Sequence, residues 1–136
     1  MTGDDATTGH CLCGAVTYRF TGPPKWQGHC HCESCRRQTS SALASFVGVH
    51  ADSFAWTGVE PAAFASSPGV TRRFCATCGT PMSYEADRFP GEVHLYAASL
   101  DDPAAYRPRF HVFVAEQVPW LELADGLVRH EGVSTG

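Results

Sequence analysis

The chain has 136 residues, 43% hydrophobic and 18% charged, the balance of one folded domain rather than of a disordered chain. Its formal net charge of −4 disfavours nucleic acid or an anionic membrane surface as the main partner, and no apolar run is long enough for a membrane helix. The opening MTGDDATTGH carries neither the basic nor the apolar region of an export signal, so a cytoplasmic protein is expected.

In chain order, residues 1–8 are polar and small and read as a flexible tail. Alternation over Ala15–Phe20 predicts a strand with Val16, Tyr18 and Phe20 on one face. Thr21-Gly22-Pro23-Pro24 marks a loop, and Lys25–Cys30 reads as a second strand. Glu33–Gln38 is short and polar, enough for one helical turn. Further strands are expected at Ala44–Val49, Ala62–Ala65, Thr71–Phe74, Pro81–Glu85, Glu92–Ala97 and Phe110–Ala115, with a turn at Asp101-Asp102-Pro103. No stretch shows sustained helical periodicity. The reading is a mainly β, mostly antiparallel fold, one domain over 9–125, with 126–136 as a C-terminal extension whose last residues from Gly132 fray. Trp26, Trp56 and Trp120 are expected to pack in the core.

Seven cysteines are many for a chain without an export signal, and the odd count argues against a disulfide framework. They fall as C-x-C (Cys11, Cys13), C-x-C-x-x-C (Cys30, Cys32, Cys35) and C-x-x-C (Cys75, Cys78). Thiols this close converge on a common centre, as a tetrahedral zinc ion requires. Gly14 follows Cys13 and Gly79 follows Cys78, where glycine lets a tight ligand loop turn, whereas Cys35 is followed by Arg36 and Arg37. The two glycine-ended pairs therefore read as halves of one four-thiolate zinc site, and the middle triplet as a three-thiolate site with an open position. The competing division joins Cys32 and Cys35 to Cys75 and Cys78 as a zinc ribbon and strands the other three.

Three motifs carry a family likeness. Gly9-His10-Cys11-Leu12-Cys13-Gly14-Ala15-Val16-Thr17-Tyr18 resembles the opening motif of the glutathione-dependent formaldehyde-activating enzyme family. Cys30-His31-Cys32-Glu33-Ser34-Cys35-Arg36-Arg37 resembles its central motif, and Phe74-Cys75-Ala76-Thr77-Cys78-Gly79-Thr80-Pro81 its third; Leu100-Asp101-Asp102-Pro103 and Trp120 also fit. The likeness spans residues 9 to 125. It implies a small Mss4-like β fold with a structural zinc on Cys11, Cys13, Cys75 and Cys78 and a labile zinc on Cys30, Cys32 and Cys35. One departure is Ser40, where the family commonly has glycine.

The resemblance implies a carbon–sulfur lyase or synthase that adds glutathione to formaldehyde, giving S-hydroxymethylglutathione. An open metal position lowers a thiol's pKa and holds its sulfur beside an aldehyde. The catalytic candidates are Cys30, Cys32 and Cys35; Arg36 and Arg37 are candidates for a substrate carboxylate, with Arg72 and Arg73 behind them. His31, between two proposed ligands, either serves the metal or faces away, as neighbours in extended chain do; His29 is a weaker candidate, and His111 reads as a hydrogen-bonded structural residue. Two other readings compete: a non-catalytic zinc-stabilised module that binds a thiol or partner, and a C-x-x-C redox pair at Cys32 and Cys35. The sequence carries no signal for oligomeric state.

Overall fold

The computed structural model describes residues 6–133. In chain order the strands are β1 (Thr7–His10), β2 (Thr17–Phe20), β3 (Trp26–Cys30), β4 (Ala44–His50), β5 (Phe54–Trp56), β6 (Ala62–Ser67), β7 (Val70–Phe74), β8 (Pro81–Ala86), β9 (Glu92–Tyr96), β10 (Phe110–Val112) and β11 (Val128–Arg129). One α-helix, α1 (Glu33–Thr39), and four single 3-10 turns complete the described chain. The fold is mainly β with little helix, as the sequence indicates.

Two sheets form. The small one has the order β1-β2-β5, and the large one β11-β10-β3-β4-β9-β8-β7-β6. All pairings are antiparallel except β10 with β3 and with β11, which are parallel, so the large sheet is mixed at that end. In β2 and the residue before it the alternation sets the burial: Val16, Tyr18 and Phe20 are buried while Arg19 is exposed. They pack with Val47, Val49, Val93, Leu95 and Met82 in the core between the sheets. Tyr18 crosses that core and its hydroxyl meets Ser99 Oγ at 2.7 Å. Gly9 is obligatory there, since a Cβ would lie 2.2 Å from the Tyr18 hydroxyl.

Several boundaries differ from expectation, each for a physical reason. Thr7 and Thr8 belong to β1, not to a tail, because they pair with Phe20 and Arg19 and Thr8 Oγ1 donates to Asp101 at 2.6 Å. β5 had no sequence signal beyond three residues, and it completes the small sheet against β2. The strand expected to run to Ala115 stops at Val112, because Phe113 takes a left-handed conformation (φ 57°) and opens a 3-10 turn. β11 brings the supposed extension back onto β10, and the Gly132 carbonyl accepts from Phe113 N at 2.9 Å; Ser134 to Gly136 lie outside the described residues. Trp120 does not join the core: it is 72% exposed. No described helix is long and apolar enough to cross a membrane.

Candidate metal centres and active site

The four outer cysteines sit on two matching turns. In the first, Gly14 N donates to the Cys11 carbonyl at 3.0 Å; in the second, Gly79 N donates to the Cys75 carbonyl at 2.8 Å. Both glycines have positive φ, 83° and 81°, with open space around them, so backbone angle rather than crowding requires the residue. In each turn a backbone N–H donates to the first sulfur: Val16 N to Cys11 Sγ at 3.3 Å and Cys78 N to Cys75 Sγ at 3.4 Å. Leu12 N reaches Thr80 Oγ1 at 3.0 Å and ties one turn to the other.

Cys11, Cys13, Cys75 and Cys78 thereby bring four sulfurs within 4.8 Å of one another. Cys11 Sγ lies 3.6 Å from Cys13 Sγ, and Cys13 Sγ lies 3.7 Å from Cys75 Sγ. A tetrahedral ion with metal–sulfur bonds of about 2.3 Å needs sulfurs roughly 3.8 Å apart, so this donor set fits a thiophilic ion. The Thr80 hydroxyl and backbone draw the Cys78 thiol down to about 5.

The middle triplet is built differently. Cys30 ends β3, Cys32 caps α1 with its sulfur accepting from Cys35 N at 3.4 Å, and Cys35 is the buried residue of the helix. Their three sulfurs also lie within 4.8 Å of one another. Three thiols this close cannot all be charged without a cation between them. Hydrogen bonds from Cys30 and Cys35 pull the Cys32 thiol far down, while the thiols of Cys32 and Cys35, with burial, push Cys30 far up. All seven cysteines are thiols, none in a disulfide.

Arg72 is the cation beside this triplet. It is only 4% exposed, and its Nη1 donates to Tyr96 Oη at 3.1 Å and lies 3.8 Å from Cys35 Sγ. Ser66 Oγ accepts from its Nε at 3.2 Å, and the guanidinium stacks over the Tyr84 ring at 4.9 Å. The sequence ranked Arg72 behind Arg36 and Arg37. The signal that separates it from Arg73 is strand alternation: Arg73 faces the other way and pairs with Glu85 at 2.8 Å.

Arg36 and Arg37 follow Cys35 on α1. Arg36 Nε donates to the His31 carbonyl at 3.1 Å, and exposed Arg37 pairs with Glu33 at 2.7 Å. Together with Ser40, Ser41, Ala42, Val118 and Trp120 they line a groove of about 370 Å³. A second groove, of about 360 Å³, lies around Asp87 and Pro90, and neither groove is lined by a cysteine. Ser40 ends α1 in the left-handed region (φ 52°, ψ 41°), the conformation for which glycine is the usual helix terminator.

His31 is fully buried but its ring does not join the sulfurs; Nε2 meets His111 Nδ1 at 2.8 Å. His111, also fully buried, meets Asp125 Oδ2 through Nε2 at 2.9 Å, which makes it the hydrogen-bonded histidine expected. The carboxylate puts the His111 proton on Nε2, so Nδ1 accepts from His31 and leaves His31 Nδ1 without a partner. Burial, followed by the fields of His111 and Arg129, lowers His31 to about 4 and keeps it neutral. His29, one turn of the pleat away, bonds Ser45 Oγ at 2.8 Å.

Residues 6–116 match the family described as glutathione-dependent formaldehyde-activating enzyme. A Halomonas elongata protein named provisionally for the same activity is 28% identical over 125 residues, covering 85% of this chain and 79% of its own. An uncharacterized lyase of Schizosaccharomyces pombe is 32% identical over 76 residues, 56% of this chain and 55% of that protein. A solved Rhodobacter sphaeroides structure shares the fold with a TM-score of 0.58 at 18% identity, over 90% of this chain and 98% of that one. With most of its length matched, the chain belongs to the glutathione-dependent formaldehyde-activating enzyme family.

Proposed function

We propose that this chain is a zinc-dependent carbon–sulfur lyase or synthase that joins glutathione and formaldehyde into S-hydroxymethylglutathione. The observation that carries the reading is the triplet: three thiols within 4.8 Å of one another, a buried arginine at 3.8 Å from one of them, and a groove with two further arginines on the same helix. Cys11, Cys13, Cys75 and Cys78 hold a structural zinc in this reading, and Cys30, Cys32 and Cys35 a labile one. An ion held by the triplet would supply an open coordination position and a positive field that favours the thiolate form of an incoming thiol.

The chain's own residues do the rest. A glutathione carboxylate enters the groove where Arg36 and Arg37 present forked donors, and Trp120 offers an apolar wall. The groove and the triplet share α1, which carries both Arg36 and Cys35, so a ligand held in the groove lies on the same helix as the sulfurs. Arg72 stabilises negative charge on the sulfurs around it, since its guanidinium is desolvated and aimed at Cys35. The glutathione sulfur attacks the formaldehyde carbon, a carbon–sulfur bond forms, the carbonyl π pair moves to oxygen, and the thiol's proton ends on that oxygen. The reverse step is cleavage of the same bond.

The test is exchange NMR on zinc-loaded protein with glutathione and formaldehyde, against the uncatalysed reaction. Accelerated exchange that disappears in Cys32→Ser supports the reading. No acceleration with the triplet metallated sinks it, and glutathione binding without any rate effect identifies a thiol-binding module instead.

A further inference from the structure

Beyond the two thiol clusters, a third group of ligating side chains converges at the parallel end of the large sheet. His29, Asp125 and His111 each offer one ligand atom, all within 4.8 Å of one another. The convergence follows from topology. His29 and His111 are direct partners in the parallel pairing of β3 with β10, so their side chains leave the same face, and their rings lie 4.9 Å apart. The chain then returns to add β11 on the far side of β10 and carries Asp125 to the same place, with Gly126 turning at φ 75°.

Each of the three groups has its second polar atom tied to the scaffold. His29 Nδ1 meets Ser45 Oγ at 2.8 Å, with the Tyr106 hydroxyl at 3.4 Å. His111 Nδ1 meets His31 Nε2 at 2.8 Å. Asp125 Oδ1 accepts from Leu127 N at 3.1 Å, which leaves Oδ2 for His111. Ligands of a metal ion are oriented in this way, by partners on the atoms that do not bind it. A hydrogen-bonded structural pair of His111 and Asp125 alone would give no reason for a third, similarly braced imidazole on the same face.

We propose that His29, His111 and Asp125 form a third metal site, for a borderline divalent cation such as zinc, nickel or ferrous iron. Two imidazoles and a carboxylate without sulfur suit that class, zinc among them, and disfavour soft ions such as cuprous copper. His111 is fully buried whereas Asp125 is exposed, so the ion enters from the Asp125 side. The His111 Nε2 to Asp125 Oδ2 separation of 2.9 Å is a hydrogen bond, whereas bonds of about 2.1 Å to one tetrahedral ion put its ligand atoms roughly 3.4 Å apart, so the exposed carboxylate swings outward by about half an ångström to admit it. When Nε2 of His111 takes the ion, the ring proton of His111 sits on Nδ1 and is donated to His31 Nε2, and the His31 proton shifts from Nε2 to its own Nδ1, so both rings stay neutral. Three protein ligands leave the coordination sphere open to water or a small anion.

The test uses the whole chain with ¹⁵N-labelled histidines, its thiol clusters first saturated with zinc, titrated with further Zn²⁺. The ring nitrogens of His29 and His111 are expected to shift together and to saturate at one additional equivalent. That equivalent is expected to vanish in Asp125→Asn and in His29→Gln, both of which keep hydrogen-bonding capacity toward His111 and Ser45. Rings that stay still up to millimolar zinc in the unsubstituted chain overturn the proposal, as does an additional equivalent that survives both substitutions. The histidine readout is independent of the thiol clusters, so a failure here is distinct from a failure of the proposed function.

Discussion

The two thiol clusters use the same donor atoms in opposite surroundings. The four-cysteine cluster is drawn from two turns that follow β1 and β7, strands of different sheets, and its polar contacts run to the backbone and to Thr80. The triplet comes from one short stretch of chain, at the junction of β3 with α1, beside a buried arginine that also bonds a tyrosine hydroxyl, and α1 goes on to line a groove. An ion in the first place closes a loop of some sixty residues and fastens one sheet to the other. An ion in the second fastens little, since three ligands within six residues are already held by local hydrogen bonds. In the proposed reading, identical chemistry thus separates into clamping and working roles by where the chain brings the sulfurs from.

The sharpest way to break this contrast is to remove one sulfur from each side. Cys75→Ser should leave the two sheets without their fastening, with loss of several kcal/mol and aggregation on expression, because structural metal binding is worth about 10 kcal/mol or more. Thermal melting with zinc analysis checks it, and a folded variant that keeps its metal would erase the clamping role. Cys32→Ser should stay folded, with a melting temperature within a few degrees of the parent, yet lose glutathione–formaldehyde exchange to background. Equal damage from the two substitutions would mean that the division of labour does not exist.

Smaller changes refine the working side. Arg72→Met removes the cation from beside Cys35 and the donor to Tyr96, and should lower kcat/KM on the order of tenfold, the effect of about one pKa unit on the sulfur. Denaturant melts alongside the rate assay separate this from lost stability. Ser40→Gly relieves a left-handed conformation at the end of α1 and should raise stability by about 0.5–1 kcal/mol while leaving the thiols in place. Unchanged stability would show that the strain is absorbed locally. The least effect belongs to a histidine that is a member of neither cluster. Burial, only partly offset by Glu92, holds His94 below its ordinary 6.5. The unfolded chain therefore binds that proton first, so the stability His94 contributes is full above pH 6.5 and is lost as pH falls below it. Denaturant titrations at pH 7 and pH 5 should show a shallower acid loss in His94→Gln than in the parent.

What the sequence revealed follows a physical division. β2 was legible because one of its faces meets the core and the other meets solvent, so Val16, Tyr18 and Phe20 alternate with exposed or half-buried residues. In β9 both faces are covered: His94 and Tyr96 are as buried as Val93 and Leu95, and alternation there identifies a strand but not an inner side. β1 is Thr-Thr-Gly-His, with no apolar residue to signal burial; what makes it a strand is its antiparallel pairing with β2, in which the Tyr18 ring lies against Gly9. The cysteine clusters were legible because spacing alone limits where sulfurs can point. The neighbours of the triplet were not, since Arg72 lies thirty-seven positions from Cys35 and reaches it through sheet order. The same holds for Asp125, whose meeting with His111 depends on a parallel return that no local pattern announces.

Arg72 has one further consequence. Its Nε rests on Ser66, a residue of β6, the outermost strand of the large sheet, while its Nη1 rests beside Cys35. A single side chain therefore spans from the rim to the sulfurs. Substitutions in the exposed Ser66–Gly69 hairpin, which holds none of the ligands, should retune thiol reactivity without altering metal content. Evolution could adjust the chemistry of such a protein from its margin, leaving the cysteines untouched.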